Sequence, residues 1–324
     1  MNLQQINQLI SKDMEDINST ILTKLHSDVS LINQIIYYII NSGGKRIRPM
    51  ISILSARTIN NCSNQNYIII AALIECIHTA TLLHDDVIDE SKIRRGQATA
   101  NTTFGNSASV LVGDFIYTRA FQMITSLDSK RILKVISEAV NVLAEGEVLQ
   151  LLNRKNPNMT EETYMKIIYS KTAKLFEAST QSSAILAEAN REQEQALQDY
   201  GRYIGTSFQL IDDVLDYSSN GKILGKNTGH DLEEGKLTLP LLHAINNGTP
   251  EQARLIRSII IQGNGRHCLD QVLEIMNQCN SLTKTRQAAE KEAEKAIMAL
   301  KILPVSPWRN ALEAIANISV QRFF

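Results

Sequence analysis

Two clusters of carboxylates repeat one pattern in this sequence, DDxxD with apolar residues in the gap. The first runs from Asp85 to Asp89 and the second from Asp212 to Asp216. On a helix, positions i and i+4 lie one above the other, so each cluster presents two carboxylates on one face, where they repel unless a cation intervenes. Hard carboxylate oxygens favour Mg²⁺, which is typically held by one or two carboxylates together with water and substrate phosphates. The pattern therefore predicts metal ions that bridge the chain to a phosphorylated ligand.

Two other interpretations compete for these clusters. A single DDxxD fits an exposed acidic turn equally well, but a second copy that also follows an apolar run weakens that interpretation. A carboxylate-bridged di-iron site in a helical bundle uses Glu residues and two ExxH motifs. This sequence has one ExxH, from Glu75 to His78, and none of the other five histidines has Glu three residues before it. A di-iron site is therefore disfavoured.

Basic residues gather beside the acidic clusters. The segment GGKRIRP, residues 43–49, places three cations in a glycine-led loop before a predicted helix, whose first N–H groups are free to bind an anion. Further cations follow each DDxxD: Lys92, Arg94 and Arg95 after the first, and Lys222, Lys226 and Lys236 after the second. Arginine forks match the geometry of phosphate oxygens. The pattern predicts binding of more than one anion.

Helices are the elements expected to position these residues. Apolar residues recur at helical spacing from Ile69 to Leu83 and from Val135 to Leu149. The chain has 324 residues but only 6 Pro and 15 Gly, too few to punctuate the many short strands of a β-sandwich or barrel. Neither a linker nor a fixed-period repeat divides it. We predict an all-α fold that forms one large domain over residues 1–324.

Breaks between the predicted helices fall at residues 41–44, 60–64, 105–106, 153–158, 218–235, 246–250 and 263–265. Pro49 and Pro250 stand where a helix would begin, since a proline in the first turn loses no intrahelical bond. The longest break, extended to residue 236, is rich in Gly and Lys and also acidic. A loop of that length within a helical domain is usually functional, although a surface insertion is the alternative.

Composition narrows the class of protein. The 33 Lys and Arg residues against 34 Asp and Glu residues give a net charge of −1, which does not indicate a nucleic-acid partner. The apolar runs are short, so no membrane span is expected, and the polar N-terminus lacks the features of a signal peptide. The four cysteines form no CxxC, which favours reduced thiols over zinc or redox roles. We predict a cytoplasmic protein.

Six segments, taken in order, carry a resemblance to a known family: GGKRIRP, LLHDDVIDESKIRRG, GDF, YSKTAKLFE, FQLIDDVLDY and GKNTGHDLEEGKLTLP. From about Leu31 to its C-terminus the sequence resembles the all-trans polyprenyl diphosphate synthases, above all the bacterial ones that make octaprenyl diphosphate. The combination of DDxxDxxxxRRG with a second DDxxD is highly specific. The resemblance implies a helical bundle around a deep central cavity, a homodimer, and Mg²⁺-dependent elongation of an allylic diphosphate, such as farnesyl diphosphate, with isopentenyl diphosphate. The product would be a long-chain, membrane-bound polyprenyl diphosphate that supplies a quinone side chain.

The resemblance also assigns roles by position. It implies that Asp85, Asp89, Asp212 and Asp216 hold the Mg²⁺ ions that clamp the allylic diphosphate. Further positions around that substrate are Arg94, Lys171, Thr172, Gln209, Lys226 and Lys236. The pocket for isopentenyl diphosphate would contain Lys45, Arg48, His78 and Arg95. Without the family resemblance, His78 would be interpreted as an ordinary core histidine.

The implied chemistry suits these residues. Loss of diphosphate leaves an allylic cation, and metal ions with Lys and Arg stabilise the charge on the leaving group. The double bond of isopentenyl diphosphate attacks the cation, and a proton is then lost, with diphosphate as the base. Lys171, Thr172 and Gln209 would shield or orient the cation, and loop 218–235 would exclude water as a lid. One departure is His230, which stands where many relatives have an acidic residue and leaves a metal or water role of that position in doubt.

Two other classes of protein carry similar motifs. A terpene cyclase usually replaces the second DDxxD by an Asn/Ser/Glu motif and needs no isopentenyl diphosphate pocket. A non-catalytic partner subunit usually loses one acidic cluster. The intact second cluster argues against both.

Product length is expected to depend on small residues before the first DDxxD. Ala80 and Thr81 would lie roughly 6 to 8 Å before Asp85 along the helix, on the wall beside the growing tail. An aromatic side chain there would close the cavity early, so two small residues predict a long product. We expect Met123, on the helix after Gly113, to stop elongation, against the alternative that Ala80 and Met123 are ordinary packing residues.

Overall fold

The structure is a computed structural model that describes residues 1–60, 65–218, 228–263 and 265–321. Within these ranges the chain is almost entirely helical. The α-helices are α1 (Leu3–Leu9), α2 (Ser11–Lys24), α3 (Ser30–Asn41), α4 (Ile47–Ile59), α5 (Asn66–Ile88), α6 (Ala100–Phe104), α7 (Asn106–Thr125), α8 (Lys130–Leu152), α9 (Glu161–Ile168), α10 (Lys174–Leu186), α11 (Arg191–Asp216), α12 (His230–Glu234), α13 (Leu239–Asn247), α14 (Pro250–Gln262), α15 (Leu269–Gln278), α16 (Ser281–Ala299) and α17 (Pro307–Val320). A π-helical turn, Tyr169–Ala173, joins α9 to α10, and 3₁₀ turns lie at Gly265–Cys268 and Leu300–Ile302.

The predicted all-α class is confirmed, with one small addition. Strands β1 (Ile93–Arg94) and β2 (Gln97–Ala98) form an antiparallel hairpin directly after the first DDxxD. Its two central residues, Arg95 and Gly96, have φ angles of 53° and 77°. A two-residue turn with both φ values positive matches the right-handed twist of the flanking strands, which is why so short a hairpin closes.

The chain divides into two compact units. The first comprises Met1–Glu138, Ala178–Gln198 and Leu300–Ala314, and the second comprises Ala139–Glu177, Asp199–Ala299 and Ile315–Phe324. One domain over the whole chain stays a prediction.

Helix α5 is the central helix of the first unit and packs against α2, α4 and α7. It is apolar around most of its circumference, with residues such as Ile70, Leu73 and Ile77 fully buried. A helix of this kind is stable only when neighbouring helices cover it on several sides. It carries the first DDxxD at its C-terminal end.

The expectation that no segment approaches a membrane span needs correction at α5. By length and composition alone this helix could cross a membrane, with 23 residues and a mean hydropathy of 1.6 in its most apolar window. That window is 67% buried within the protein. The same properties are typical of a helix in a protein core.

The second unit has a core of its own. Tyr164 and Ile168 of α9 pack with Leu210 and Ile211 of α11 and with buried residues of α13 to α16. Pro240 lies in the first turn of α13 and Pro250 begins α14, which confirms the predicted helix start at Pro250. The second DDxxD occupies the C-terminal end of α11, as the first occupies the end of α5.

Candidate active site

The glycine-led loop before α4 lies against an arginine of the hairpin. Gly44 has a φ angle of 152°, and a Cβ atom built on it would lie 2.7 Å from Nη1 of Arg95. The absence of a side chain at Gly44 therefore lets the Arg95 guanidinium reach the loop backbone. Lys45 follows Gly44 and is exposed to solvent. The structure thus places Arg95 against the residue that precedes Lys45, and both cations are predicted for the isopentenyl diphosphate pocket.

His78 and Arg48, from the same predicted pocket, are in direct contact. Nη1 of Arg48 lies 3.2 Å from Nε2 of His78. Burial, together with the positive charges of Arg48, Arg95 and Arg94, holds the pKa of His78 well below its usual range. Since Arg48 can only donate, neutral His78 accepts through Nε2 and carries its proton on Nδ1. His78 can therefore serve this pocket as a neutral group and not as a further cation.

Glu75 faces the same group of cations and was not among the predicted site residues. It lines a cavity of about 30 Å³ together with Arg46 and Arg95. Burial raises the pKa of Glu75, and the positive charges of Arg46, Arg48 and Arg95 oppose that rise. A carboxylate one helical turn before His78 thus balances part of the charge of the arginine cluster.

The first DDxxD separates into two kinds of carboxylate. Asp85 and Asp89 are partly exposed at the end of α5, where the N–H of Asp89 donates to the Asp85 carbonyl at 2.8 Å. Asp86 is only 4% exposed and accepts hydrogen bonds from Nε of Arg94 at 2.9 and 3.0 Å. Burial raises the pKa of Asp86, while the contacts with Arg94 act in the opposite direction. The middle carboxylate therefore holds an arginine that the sequence assigned to the allylic substrate.

The second DDxxD shows the same division. Asp212 is partly exposed, whereas Asp213 is only 4% exposed. Asp213 accepts from Nε2 of Gln209 at 2.8 Å and from the hydroxyl of Tyr164 at 2.5 Å, and the Thr172 hydroxyl donates to Oε1 of Gln209 at 2.8 Å. Burial, followed by the negative charge of Asp231, raises the pKa of Asp213 well above its usual range. Gln209 and Thr172, predicted separately, are thus joined through hydrogen bonds.

Asp216, the last residue of the second cluster, fixes the start of α12. Its carboxylate accepts from the backbone N–H groups of His230 at 3.2 Å and of Asp231 at 3.0 Å, and its carbonyl accepts from Gly229 at 2.8 Å. His230 thus contributes its backbone to this cluster.

Lys236 lies at the end of the same short segment. Its ammonium group forms an ion pair with Glu234, which also lies 3.5 Å from Nδ1 of His230 and 3.9 Å from Nη2 of Arg154. One partly buried carboxylate therefore gathers three basic side chains around the C-terminal end of α12. The imidazole ring of His230 is one of these three side chains, and the His230 side chain is 52% exposed.

The π-helical turn packs closely against a glycine of α8 and a glycine of α11. A Cβ atom on Gly146 of α8 would lie 2.5 Å from Cβ of Ser170, and one on Gly205 of α11 would lie 2.6 Å from Cα of Ala173. Neither helix could approach the turn so closely with a larger residue. Turns of this type occur mostly as single insertions within α-helices, often at functional sites.

The turn carries two predicted site residues on adjacent positions. Nζ of Lys171 lies 2.8 Å from Oε2 of Glu147, and the Thr172 hydroxyl contacts Gln209 as described above.

The predicted site residues are distributed over both units. The second unit contains Lys171, Thr172, Gln209, Asp212, Asp216 and Lys236. The other predicted residues of the described chain lie in the first unit: Lys45, Arg48, His78, Ala80, Thr81, Asp85, Asp89, Arg94, Arg95 and Met123. Lys226, like the central part of the predicted lid, lies outside the described residues.

The acidic pairs suit a hard divalent cation bound jointly with a ligand. Among the residues that the structure describes, no group of three or more His, Cys, Asp or Glu side chains could hold a metal ion by itself. Mg²⁺ is usually bound by one or two carboxylates together with phosphate oxygens. The partly exposed oxygens of Asp85 and Asp89, with no sulfur or imidazole ligand in their motif, fit that mode of binding.

The predicted chain-length residues differ in their exposure. Ala80 has no exposed surface, and Met123 of α7 is 2% exposed. Thr81 is partly exposed, and its hydroxyl donates to the His78 carbonyl at 2.8 Å. Thr81 is therefore the more open of the two small positions before the first DDxxD.

Comparison with known proteins supports one family for the whole chain. The sequence model of the family described as polyprenyl synthetase matches residues 29–279. The chain belongs to the polyprenyl synthetase family.

Polyprenyl synthetases with high similarity to the chain come from several bacteria. Octaprenyl diphosphate synthase of Escherichia coli (strain K12) is 65% identical over 322 residues, which cover 99% of each chain. The crystal structure of a decaprenyl diphosphate synthase from Rhodobacter capsulatus is 38% identical, with a TM-score of 0.95 and complete coverage of both chains. A polyprenyl synthase from Caulobacter crescentus, solved in complex with calcium and isoprenyl diphosphate, is 39% identical, with a TM-score of 0.94 over 99% of this chain and 98% of the other.

Several residues of this polyprenyl synthetase that interact with predicted site residues, directly or through Asp213, were not predicted from the sequence. They are Glu75, Asp86, Glu147, Tyr164, Asp213 and Glu234. A signal was available for Asp86 and Asp213, since neighbours on a helix point about 100° apart and cannot share the face of the first and last carboxylates. For Tyr164 and Glu147 the sequence carried no such signal, because their partners lie 49 and 24 residues away.

Proposed function

We propose that this enzyme, a prenyltransferase, extends an allylic diphosphate with isopentenyl diphosphate units to octaprenyl diphosphate. The observation that carries the proposal is identity of 65% over almost the whole chain to an octaprenyl diphosphate synthase. Farnesyl diphosphate is the proposed primer. The product would supply the side chain of a quinone such as ubiquinone.

The cation cluster of the first unit suits the isopentenyl diphosphate group. Arg95 lies against Gly44, and Arg48 contacts neutral His78 at 3.2 Å. Arginine forks with the adjacent Lys45 would bind the diphosphate oxygens, and His78 would donate a hydrogen bond without adding charge. Binding by several fixed donors orients the double bond for attack.

The allylic diphosphate is assigned to the acidic motifs and their neighbouring cations. Asp85, Asp89, Asp212 and Asp216 would hold Mg²⁺, which would supply positive charge that stabilises the diphosphate as a leaving group. The calcium in the Caulobacter crescentus relative supports a divalent metal in this role. Arg94 and Lys236, already held by Asp86 and Glu234, add further positive charge for the same group, and Lys226 does so by resemblance.

The residues of the π-helical turn act on the hydrocarbon part of the reaction. Lys171 and Thr172 present polar atoms on consecutive positions, and Gln209 is joined to Thr172 by a hydrogen bond of 2.8 Å. Oxygen lone pairs directed at the allylic carbon stabilise its positive charge without forming a bond to it. The diphosphate leaving group then takes the proton that isopentenyl diphosphate loses.

The oligomeric state and the cellular location of the enzyme complete the proposal. We propose a homodimer, in keeping with the family resemblance, and a cytoplasmic location for the enzyme. A polyprenyl tail of this length partitions into membranes, so the product is expected to be membrane-bound.

Product analysis tests the proposed function directly. Purified protein is incubated with Mg²⁺, farnesyl diphosphate and isopentenyl diphosphate, and the products are separated by chromatography. Octaprenyl diphosphate as the main product, lost on addition of EDTA, is the expected result. Cyclic hydrocarbons, or no consumption of isopentenyl diphosphate, would overturn the proposal.

A further inference from the structure

Four side chains of the second unit form a continuous hydrogen-bonded chain that ends at a buried tyrosine. The contacts run from the Thr172 hydroxyl to Gln209 at 2.8 Å, from Gln209 to Asp213 at 2.8 Å, and from the Tyr164 hydroxyl to Asp213 at 2.5 Å. Tyr164 is 3% exposed, Thr172 is 7% exposed and Asp213 is 4% exposed. Tyr164 belongs to none of the motifs that carry the family resemblance.

The hydroxyls of Tyr164 and Thr172 are the donors at the two ends of this chain, and they determine the direction of each hydrogen bond. Tyr164 donates to one carboxylate oxygen of Asp213, and the other oxygen accepts from the amide nitrogen of Gln209. The Gln209 amide is thereby oriented with its oxygen toward Thr172, whose hydroxyl must donate to it. The Thr172 oxygen is left with lone pairs only, which is the polarity that stabilises a neighbouring carbocation.

We propose that Tyr164 is a positioning residue for the prenyl transfer, which sets the orientation of Gln209 and Thr172 through Asp213. Without its hydroxyl, one oxygen of a buried carboxylate loses its partner. Asp213 is then free to turn, and Gln209 loses the contact that fixes its amide. The inference rests on the proposed function, because it assigns Thr172 to the allylic substrate.

A purely structural role for Tyr164 is the alternative, and the first unit contains a matched control. Tyr67 is 7% exposed, and its hydroxyl donates to Oδ1 of Asp13 at 2.8 Å. Arg57 also donates to that carboxylate, at 2.7 Å, and none of these residues belongs to the proposed site. Tyr67→Phe therefore removes a buried Tyr–Asp hydrogen bond while the chain that ends at Thr172 stays intact.

The first experiment compares steady-state kinetics of Tyr164→Phe and Tyr67→Phe with farnesyl diphosphate and isopentenyl diphosphate. We expect kcat to fall by about 10- to 100-fold in Tyr164→Phe, as for small misplacements of reacting groups, with the KM for isopentenyl diphosphate nearly unchanged. Tyr67→Phe should lower thermal stability with kcat preserved. An equal kcat for both variants, or a change confined to thermal stability, would overturn the inference.

A double-mutant cycle asks whether Tyr164 acts through Thr172. Thr172→Val keeps the shape of the side chain and removes the hydroxyl that Gln209 orients. In that background Tyr164→Phe should cost little further activity, because coupled residues are not additive. A full additive loss would show that Tyr164 does not act through this chain.

Asp213 offers a second test that does not depend on the folding of Tyr164→Phe. Asn at position 213 can accept from Gln209 through its oxygen and donate to the Tyr164 oxygen, which preserves the chain. Leu is uncharged like Asn but makes neither contact. Asp213→Asn is expected to keep at least about 10-fold more activity than Asp213→Leu, since only Asn preserves the alignment; equal activities would contradict the inference. Failure of the wild-type enzyme to elongate farnesyl diphosphate would instead count against the proposed function.

Discussion

Arg94 forms a bidentate ion pair with Asp86, the middle carboxylate of the first DDxxD. Nε of Arg94 lies 2.9 and 3.0 Å from the two oxygens, and Nη2 lies 2.8 Å from Oδ1. The carboxylate is buried, while the arginine side chain is 37% exposed. Asp86 thus holds the guanidinium at the site while leaving part of it open to a ligand.

We expect Asp86→Ala to raise the KM for the allylic diphosphate by about 10-fold, because the freed arginine must be ordered when substrate binds. The stability cost should be only about 1 kcal/mol, since the arginine remains in contact with solvent. Glu194→Ala, which breaks the ion pair of Glu194 with Arg131 at 2.6 Å, is the control and should leave this KM unchanged. Equal KM values in the wild type and Asp86→Ala would contradict the role of the ion pair.

Asp85→Ala and Asp212→Ala are each expected to lower kcat by on the order of 100- to 1000-fold, through loss of charge stabilisation at the leaving group. Circular dichroism should remain largely unchanged, because paired carboxylates repel in the absence of metal and add little to the fold. Glu138→Ala removes an exposed helical carboxylate and serves as the control. Near-wild-type turnover in either Asp variant would refute the proposed metal clamp.

Separate diphosphate pockets predict separate kinetic effects. Arg95→Ala or Lys45→Ala should chiefly raise the KM for isopentenyl diphosphate, by about 10- to 100-fold, as expected for loss of a charged hydrogen bond. Lys226→Ala should chiefly impair the allylic substrate or the chemical step. Initial rates measured with each substrate varied in turn distinguish these patterns, and identical effects of all three variants would show that the assignment is wrong.

His78 should make the stability of the fold sensitive to mildly acidic pH. Its pKa in the folded state lies well below the ordinary value of 6.5. Its contribution is therefore fully present above about pH 6.5 and is lost as the pH falls below that value, because only the unfolded chain takes up the proton. Between about pH 7.5 and pH 5.5 the wild type should lose more unfolding free energy than His78→Gln, by on the order of 1 kcal/mol. Urea unfolding at both pH values measures the difference, and parallel losses would place the pKa of His78 near its ordinary value.

Product length should respond to side-chain volume at the end of α5. Ala80→Phe and Thr81→Phe are expected to shift products to short chains with the KM for isopentenyl diphosphate nearly unchanged, and Met123→Ala to lengthen them. Since Ala80 is fully buried, its replacement should also cost about 1 to 3 kcal/mol of stability.

Ala311→Phe overpacks another fully buried alanine of the first unit and controls for that strain. Product chromatography with a fixed ratio of the two substrates is the measurement. If both aromatic variants before the first DDxxD still give the wild-type length, the tail does not pass this face of α5.

The amino-acid sequence alone was sufficient for the helical class, the two acidic motifs and the basic loop before α4. These features depend on local rules, because helical periodicity and i,i+4 spacing act within a few residues along the chain. The predicted helix start at Pro250 and the break after Asn41 follow from the same local chemistry. The small hairpin at Arg95 and Gly96 was missed because two-residue strands are too short to show alternation.

Only the tertiary structure decided what the middle carboxylates do. Helix geometry places Asp86 and Asp213 on a different face from the outer carboxylates, but only packing buries both and pairs them with Arg94, Gln209 and Tyr164. Such partners depend on how distant helices pack, and buried polar groups are stable only when that packing supplies a hydrogen-bond partner. The orientation of Thr172 follows from the same packing, since it is set by a tyrosine that no local pattern connects to it.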